Sequence, residues 1–195
     1  MTATRPRLGE TIVSAAQIAA RLPEMAREIE RASSAASGAG AGASGAEPDD
    51  LIIVPVMTGA FIFAADLVRH MPIRMRISLV AVSSYPGTAT ASQGVQPISA
   101  VPQELRGRRV LLVDDVLDSG RTLNYLRAEC MAQQPRWFAT AVLLRKKIPS
   151  AMSTACEFVG FDIPDEFVVG YGLDYDGFYR NVPDVRVLHP DGLTA

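Results

Sequence analysis

The chain has 195 residues, 48% hydrophobic and 21% charged, with a net charge of -2. That length buries one α/β domain without disulfides or metals as staples. The charge balance gives no global reason to expect nucleic acid or an anionic membrane as partner. The two cysteines, Cys130 and Cys156, and the two histidines, His70 and His189, show no metal-ligand or redox spacing. No apolar run reaches the roughly 18–20 residues of a membrane span, and no apolar segment follows Arg5 and Arg7 as in a secretory signal. A soluble protein of the reducing cytoplasm is expected.

Ser14 to Arg31 reads as an amphipathic helix, with Ile18, Leu22, Met25 and Ile29 at helical spacing and Ser14 as N-cap. Pro23 removes a helical hydrogen bond, so a kink or break is expected near residue 22. Ala32 to Asp50 is almost entirely Ala, Gly and Ser before Glu47-Pro48-Asp49-Asp50, and residues 32–48 are expected to form a flexible insertion. Leu51 to Val56 is a continuous apolar run of the kind a strand shows when covered on both faces. Gly59 to Arg69 follows as a helix and Arg76 to Ser83 as a second strand. Residues 84–108, rich in Ser, Thr, Gly, Pro and Gln, read as a long mobile loop or weak hairpin. Arg109 to Val113, Thr122 to Gln133 and Trp137 to Leu144 read as strand, helix and strand. This alternation predicts an α/β fold with a doubly wound parallel sheet flanked by helices. Ligands in that architecture bind beyond the carboxyl ends of the strands.

One such strand end carries chemistry. Val110-Leu111-Leu112-Val113 runs into Asp114 and Asp115, and Asp118-Ser119-Gly120-Arg121-Thr122 follows where a helix begins. A glycine-containing loop at a helix N-terminus offers backbone N–H groups to an anion, and paired carboxylates accept hydrogen bonds from vicinal hydroxyls. The combination describes a sugar-phosphate site. It lacks the G-x-x-x-x-G-K-[ST] pattern of a nucleotide-hydrolysing P-loop. Elsewhere, Arg145-Lys146-Lys147 reads by itself as a solvated basic patch, and Phe167 as a core residue.

The 110–122 stretch resembles the phosphoribosyl-diphosphate (PRPP) signature of type I phosphoribosyltransferases. With four further blocks in order it resembles the hypoxanthine-guanine phosphoribosyltransferases. Those blocks are Pro55 to Leu67, Val82 to Tyr85, Leu143 to Lys147, and Val159 through Arg180. The resemblance implies a single phosphoribosyltransferase domain over residues 1–195, with a small hood subdomain built from the N- and C-terminal segments. It implies Mg²⁺-dependent transfer of phosphoribose from PRPP to hypoxanthine, and to guanine, giving IMP or GMP and pyrophosphate.

By the same resemblance, Asp114 and Asp115 take the ribose hydroxyls, and Asp118 to Thr122 (with Ser119, Gly120 and Arg121) wrap the 5′-phosphate. Asp118 is the general acid/base at purine N7, and Lys146 donates to O6. Phe167 stacks on the base and Val168 offers backbone contacts. Asp174 binds Mg²⁺, with Asp114 and Asp115 as further metal-site carboxylates, and Arg180 meets the pyrophosphate. Ser84 and Tyr85 open a loop that closes over the reacting centre and excludes water.

Two departures stand out. Many members carry lysine where this chain has Thr58, beside a non-proline cis peptide that falls between Met57 and Thr58. Threonine keeps a small donor and loses a cation, which bears on pyrophosphate affinity and subunit contacts. Thr58 and Gly59 are expected to line the pyrophosphate site through backbone N–H groups. The Ala/Gly/Ser insertion is expected to be neutral for chemistry. A homodimer or homotetramer is implied, with no nucleic acid or membrane as partner. The alternatives are a xanthine-preferring enzyme and a PRPP-fold regulator that binds nucleotide or RNA. Adenine fits poorly, because Lys146 only donates and would face an amino group.

Overall fold

The computed structural model describes residues 7–35, 51–83, 96–97 and 101–189. The expectations for residues 36–50, for Ser84 and Tyr85 and for most of the 84–100 stretch lie outside them. In chain order the elements are β1 (Arg7–Val13), α1 (Ala15–Ala35), β2 (Leu51–Met57), α2 (Phe61–Arg69), β3 (Met75–Ile77), β4 (Val80–Ser83), β5 (Gln96–Pro97), β6 (Arg109–Leu117), α3 (Arg121–Ala132), β7 (Trp137–Lys146), α4 (Pro149–Ser153), β8 (Phe158–Ile163), β9 (Val168–Val169) and β10 (Val185–His189).

The main sheet runs β5-β4-β2-β6-β7-β8, with β3 also on β2. Every pairing in it is parallel except β4 with β5. Alternate residues feed two separate cores, as a strand covered on both faces requires. Leu51, Ile53, Leu111 and Val113 pack with α1 and α2, while Ile52, Val54, Val110 and Leu112 pack with α3 and α4. The doubly wound parallel architecture expected from the alternation is therefore present. Counting parallel strands only, the chain starts at β2, steps to β3/β4 on one side, then crosses to β6, β7 and β8 on the other. The direction of winding reverses between β2 and β6, and the crevice at that reversal is where such sheets hold ligands.

Several boundaries differ from the sequence reading. Helix α1 continues through Pro23 to Ala35 without a break. Ile18, Leu22, Met25, Ala26 and Ile29 are buried on one face, so packing on both sides of the proline outweighs one lost backbone bond. Residues 32–35, assigned to the insertion, therefore belong to α1: Ser33 is buried and donates to the Glu30 carbonyl oxygen (3.2 Å). Ser14 caps α1 as expected. Its Oγ accepts from the Gln17 N–H (3.3 Å) and its own N–H donates to Gln17 Oε1 (2.8 Å), a reciprocal capping box.

The strand expected over 76–83 is interrupted at Ser78–Leu79, although its two halves keep one register along β2. The end of the loop assigned to 84–108 is pinned to the core. Val101 and Leu105 are buried, and Gln133 donates to the Pro102 carbonyl oxygen (2.7 Å) while accepting from the Leu105 N–H (3.3 Å). Residues at 101–108 thus belong to the packed body.

Strand β6 runs four residues past Val113, so Asp114 and Asp115 lie within the ladder, with Asp114 opposite Val142 and Leu117 opposite Arg145. A separate three-stranded antiparallel sheet, β1-β10-β9, joins the chain's two ends. Leu105→Ala should cost about 2–4 kcal/mol in urea unfolding, the range for emptying a buried leucine site. A mobile loop residue would cost next to nothing.

Candidate active site

The winding reversal between β2 and β6 opens a cleft of about 660 Å³. Its lining brings together Thr58, Gly59, Asp114, Asp115, Asp118, Ser119, Gly120, Thr122, Asp174 and Arg180, residues contributed by three distant stretches of chain. Arg121 is exposed and outside that lining; its backbone N–H points back to Ser119 Oγ (3.4 Å).

The anion cradle is built by Gly120. This residue is the N-cap of α3 at φ 75° and has no side chain to cap the helix; with the Arg121 N–H turned to Ser119 Oγ, the N–H groups that follow it in the first turn face a ligand. A Cβ at residue 120 would also collide with Thr154 Oγ1, whose hydroxyl donates to the Ser150 carbonyl oxygen (2.8 Å). Glycine is required for its backbone angle and for space.

The two adjacent acids are taken out of water by the sheet. Asp114 is only 8% exposed. Burial, then the neighbouring Asp115 carboxylate, pushes its pKa well above the usual carboxylate range. Burial raises Asp115 as well, against hydrogen bonds from Asp114 and the Val116 N–H (2.8 Å) and the charge of Arg180. Both shifts have the same direction, upward, and burial is the largest cause of each.

Opposite them, the 170–174 turn presses on the loop after β2. Gly172 (φ 106°) has no room for a Cβ, because the Gly59 carbonyl oxygen is there. Arg180 ties this turn together, donating to the Gly172 carbonyl oxygen (2.6 Å) and pairing with Asp174 (2.7 Å). Asp174 also accepts from the Gly177 N–H (2.8 Å). The Met57–Thr58 peptide is cis, at the position the resemblance indicated.

Lys146, Phe167 and Val168 stand beyond the lining of this cleft, and an ion pair connects Lys146 to it: its Nζ lies 3.3 Å from Asp118 Oδ2. The lysine side chain is only 13% exposed, which removes the reading of a solvated basic patch. Phe167 is 52% exposed, which removes the reading of a core residue. Its ring meets Tyr175 edge-on at 5.8 Å. Val168 is buried in β9 against β10, opposite Val187. Sequence reasoning missed Asp165, whose Oδ1 is 3.1 Å from Lys146 Nζ. Its signal was position, two residues before Phe167.

Residues 16–176 match the phosphoribosyl transferase domain. A hypoxanthine-guanine phosphoribosyltransferase of Mycobacterium avium is 40% identical over 180 residues, spanning 92% of this chain and 85% of that protein. The chain belongs to the hypoxanthine-guanine phosphoribosyltransferase family. A hypoxanthine phosphoribosyltransferase of Escherichia coli is 34% identical over 175 residues, 89% of this chain and 92% of that protein. The crystal structure of a family member from Bacillus anthracis superposes with a TM-score of 0.79 at 31% identity, covering 94% of this chain and 100% of that one.

Gly120→Ala should destabilise the protein by about 1–3 kcal/mol through its positive φ and raise KM for the phosphorylated substrate about tenfold or more. Thermal melts and initial rates read the two effects separately. For Asp114 the folded pKa lies above the unfolded value of about 4. Its stability contribution is therefore complete below that value and is lost as pH rises through the folded pKa. Asp114→Asn should stabilise the unliganded protein relative to wild type, with a Tm difference that grows from pH 5 to pH 8; a difference independent of pH would refute the assignment.

Proposed function

We propose that this chain transfers the 5-phosphoribosyl group of PRPP to hypoxanthine, and to guanine, releasing pyrophosphate and forming IMP and GMP. The observation that carries this reading is the 3.3 Å contact between Lys146 and Asp118. It sets a donor suited to a purine O6 beside an acceptor suited to N7, at the mouth of an anion cradle.

The residues divide the work as follows. The Asp114–Asp115 pair accepts from the ribose 2′ and 3′ hydroxyls. The N–H groups of residues 118–122, with the Ser119 and Thr122 hydroxyls, hold the 5′-phosphate. Gly59 and Thr58 face the pyrophosphate through their backbone, and Arg180 supplies the cation that Thr58 does not. As N9 of the base bonds to C1′, the C1′–O bond to pyrophosphate breaks and Asp118 accepts the N7 proton. Lys146 opposes the negative charge that develops at O6. Phe167 stacks on the base, a use that its exposed ring allows, and Val168 presents backbone groups to its far edge. The β1-β10-β9 sheet, which carries these two residues at its margin, serves as the hood.

Mg²⁺ is the metal proposed. Among the described residues no three acidic, histidine or cysteine side chains enclose a metal. The oxygen donors of Asp174, Asp114 and Asp115 in one cleft fit a hard cation that keeps waters and binds mainly through diphosphate oxygens. Bound there, it supplies positive charge to the leaving group. The unpaired thiols of Cys130 and Cys156 suit a reducing compartment, and the cytoplasm is the location proposed. Phe61, Ile77 and Leu79 form an exposed apolar patch that supports a homodimer or homotetramer.

Initial rates with PRPP and Mg²⁺ should show turnover of hypoxanthine and guanine and none of adenine, with xanthine run in parallel. Asp118→Asn should lower kcat by about 10²–10⁴-fold. Absence of turnover with every base would defeat the reading.

A further inference from the structure

Lys146 ends β7, and two carboxylates hold its ammonium: Asp118 Oδ2 at 3.3 Å and Asp165 Oδ1 at 3.1 Å. The function proposed above, on which this inference rests, uses Lys146 and Asp118 and leaves Asp165 without a task. We propose that Asp165 is the positioning residue for Lys146, retaining its ammonium at the O6 edge of the purine when Asp118 turns to N7.

The need for such a group follows from the pairing itself. An ammonium is a compact charge on a flexible four-carbon stem, with three donors and no acceptor. Were Asp118 its sole partner, the two would occupy each other, and the lysine would follow the carboxylate as the latter engaged the base. A second carboxylate on another segment breaks that dependence. Lys146 can then keep one donor on Asp165 and give another to O6.

The geometry of Asp165 suits retention. It lies in the turn between β8 and Phe167, where the Glu166 N–H donates to the Pro164 carbonyl oxygen (2.9 Å). The Lys147 N–H donates to the Ile163 carbonyl oxygen (2.8 Å), and Lys146 is in register with Ile163. The sheet thus fixes where the Asp165 turn leaves β8 beside Lys146, whereas Asp118 belongs to the loop before α3. Arg145 does not compete, because it is committed to Asp162 through two contacts of 2.7 and 3.1 Å. Asp165 itself is well exposed (60%), so the pair adds little to stability and its effect falls on placement.

The test uses the full chain as wild type, Asp165→Asn, Asp165→Glu, Lys146→Ala and the double variant Lys146→Ala/Asp165→Asn. Steady-state kinetics are paired with calorimetric binding of IMP, which needs no turnover. Asp165→Asn should raise KM for hypoxanthine and Kd for IMP about tenfold and lower kcat through misplaced charge at O6, with KM for PRPP unchanged. Asp165→Glu should recover most of the loss. In the Lys146→Ala background the asparagine should add nothing. Unchanged KM and Kd in Asp165→Asn would overturn the proposal. So would an equal loss in the Lys146→Ala background, which would place the effect in the Phe167 turn. Failure of the wild type to turn over hypoxanthine would instead overturn the functional reading, and this inference with it.

Discussion

The position a Cβ would take on Gly59 is filled by the Asp115 carboxylate, and the space beside Gly172 is filled by the Gly59 carbonyl oxygen. Two missing side chains therefore let three stretches of chain, at 57–59, 114–122 and 170–174, approach at backbone distance. Everything else in the cleft depends on that approach. Arg180 can reach both Asp174 and the Gly172 carbonyl oxygen because the turn is already pressed inward. The anion cradle at Gly120 opens onto the same space because β6 delivers it next to β2.

Such a cleft has an electrostatic cost. Adjacent carboxylates within a central strand, one of them almost fully buried, disfavour their own ionisation. The fold tolerates this because the strand carrying them is flanked by β2 and β7 and packed on both faces. The same burial suits the cleft to a ligand that brings hydroxyl donors and a cation. Local strain or charge held in place by a rigid surround is a common property of binding sites.

The base end obeys a different constraint. Lys146, Asp118 and Asp165 form an ion-pair chain at the mouth of the cleft, and Phe167 stands open beside it. The residues that would meet a base are supplied by three segments: the loop before α3, which carries Asp118, the end of β7, fixed by the main sheet, and the entry to β9, fixed by the Phe167–Leu188 backbone bond (2.9 Å) of the smaller sheet. Placement at this end therefore depends on how the two sheets share the turn at 164–167.

Much of this was legible in the residues. Strands β2, β6 and β7 are continuous apolar runs, so their existence follows from composition alone, and Asp114 to Thr122 stand out because polar groups end such a run. Strand β6 extends through its acids because ladder bonds to β7 compensate for polar side chains. Strands β9 and β10 are too short to show a period, and β1 carries none, so the second sheet is a product of pairing between chain ends. Leu105 and Val101 lie in a polar stretch, and their burial depends on Gln133, a distant residue. The sequence by itself determined the doubly wound sheet and the anion loop, since both rest on local periodicity and on backbone chemistry at a strand–helix junction. Only the tertiary structure decided that Lys146 is held between Asp118 and Asp165, and that Gly59, Asp115 and Gly172 interlock. Those contacts join residues far apart along the chain, and local patterns carry no distances between them.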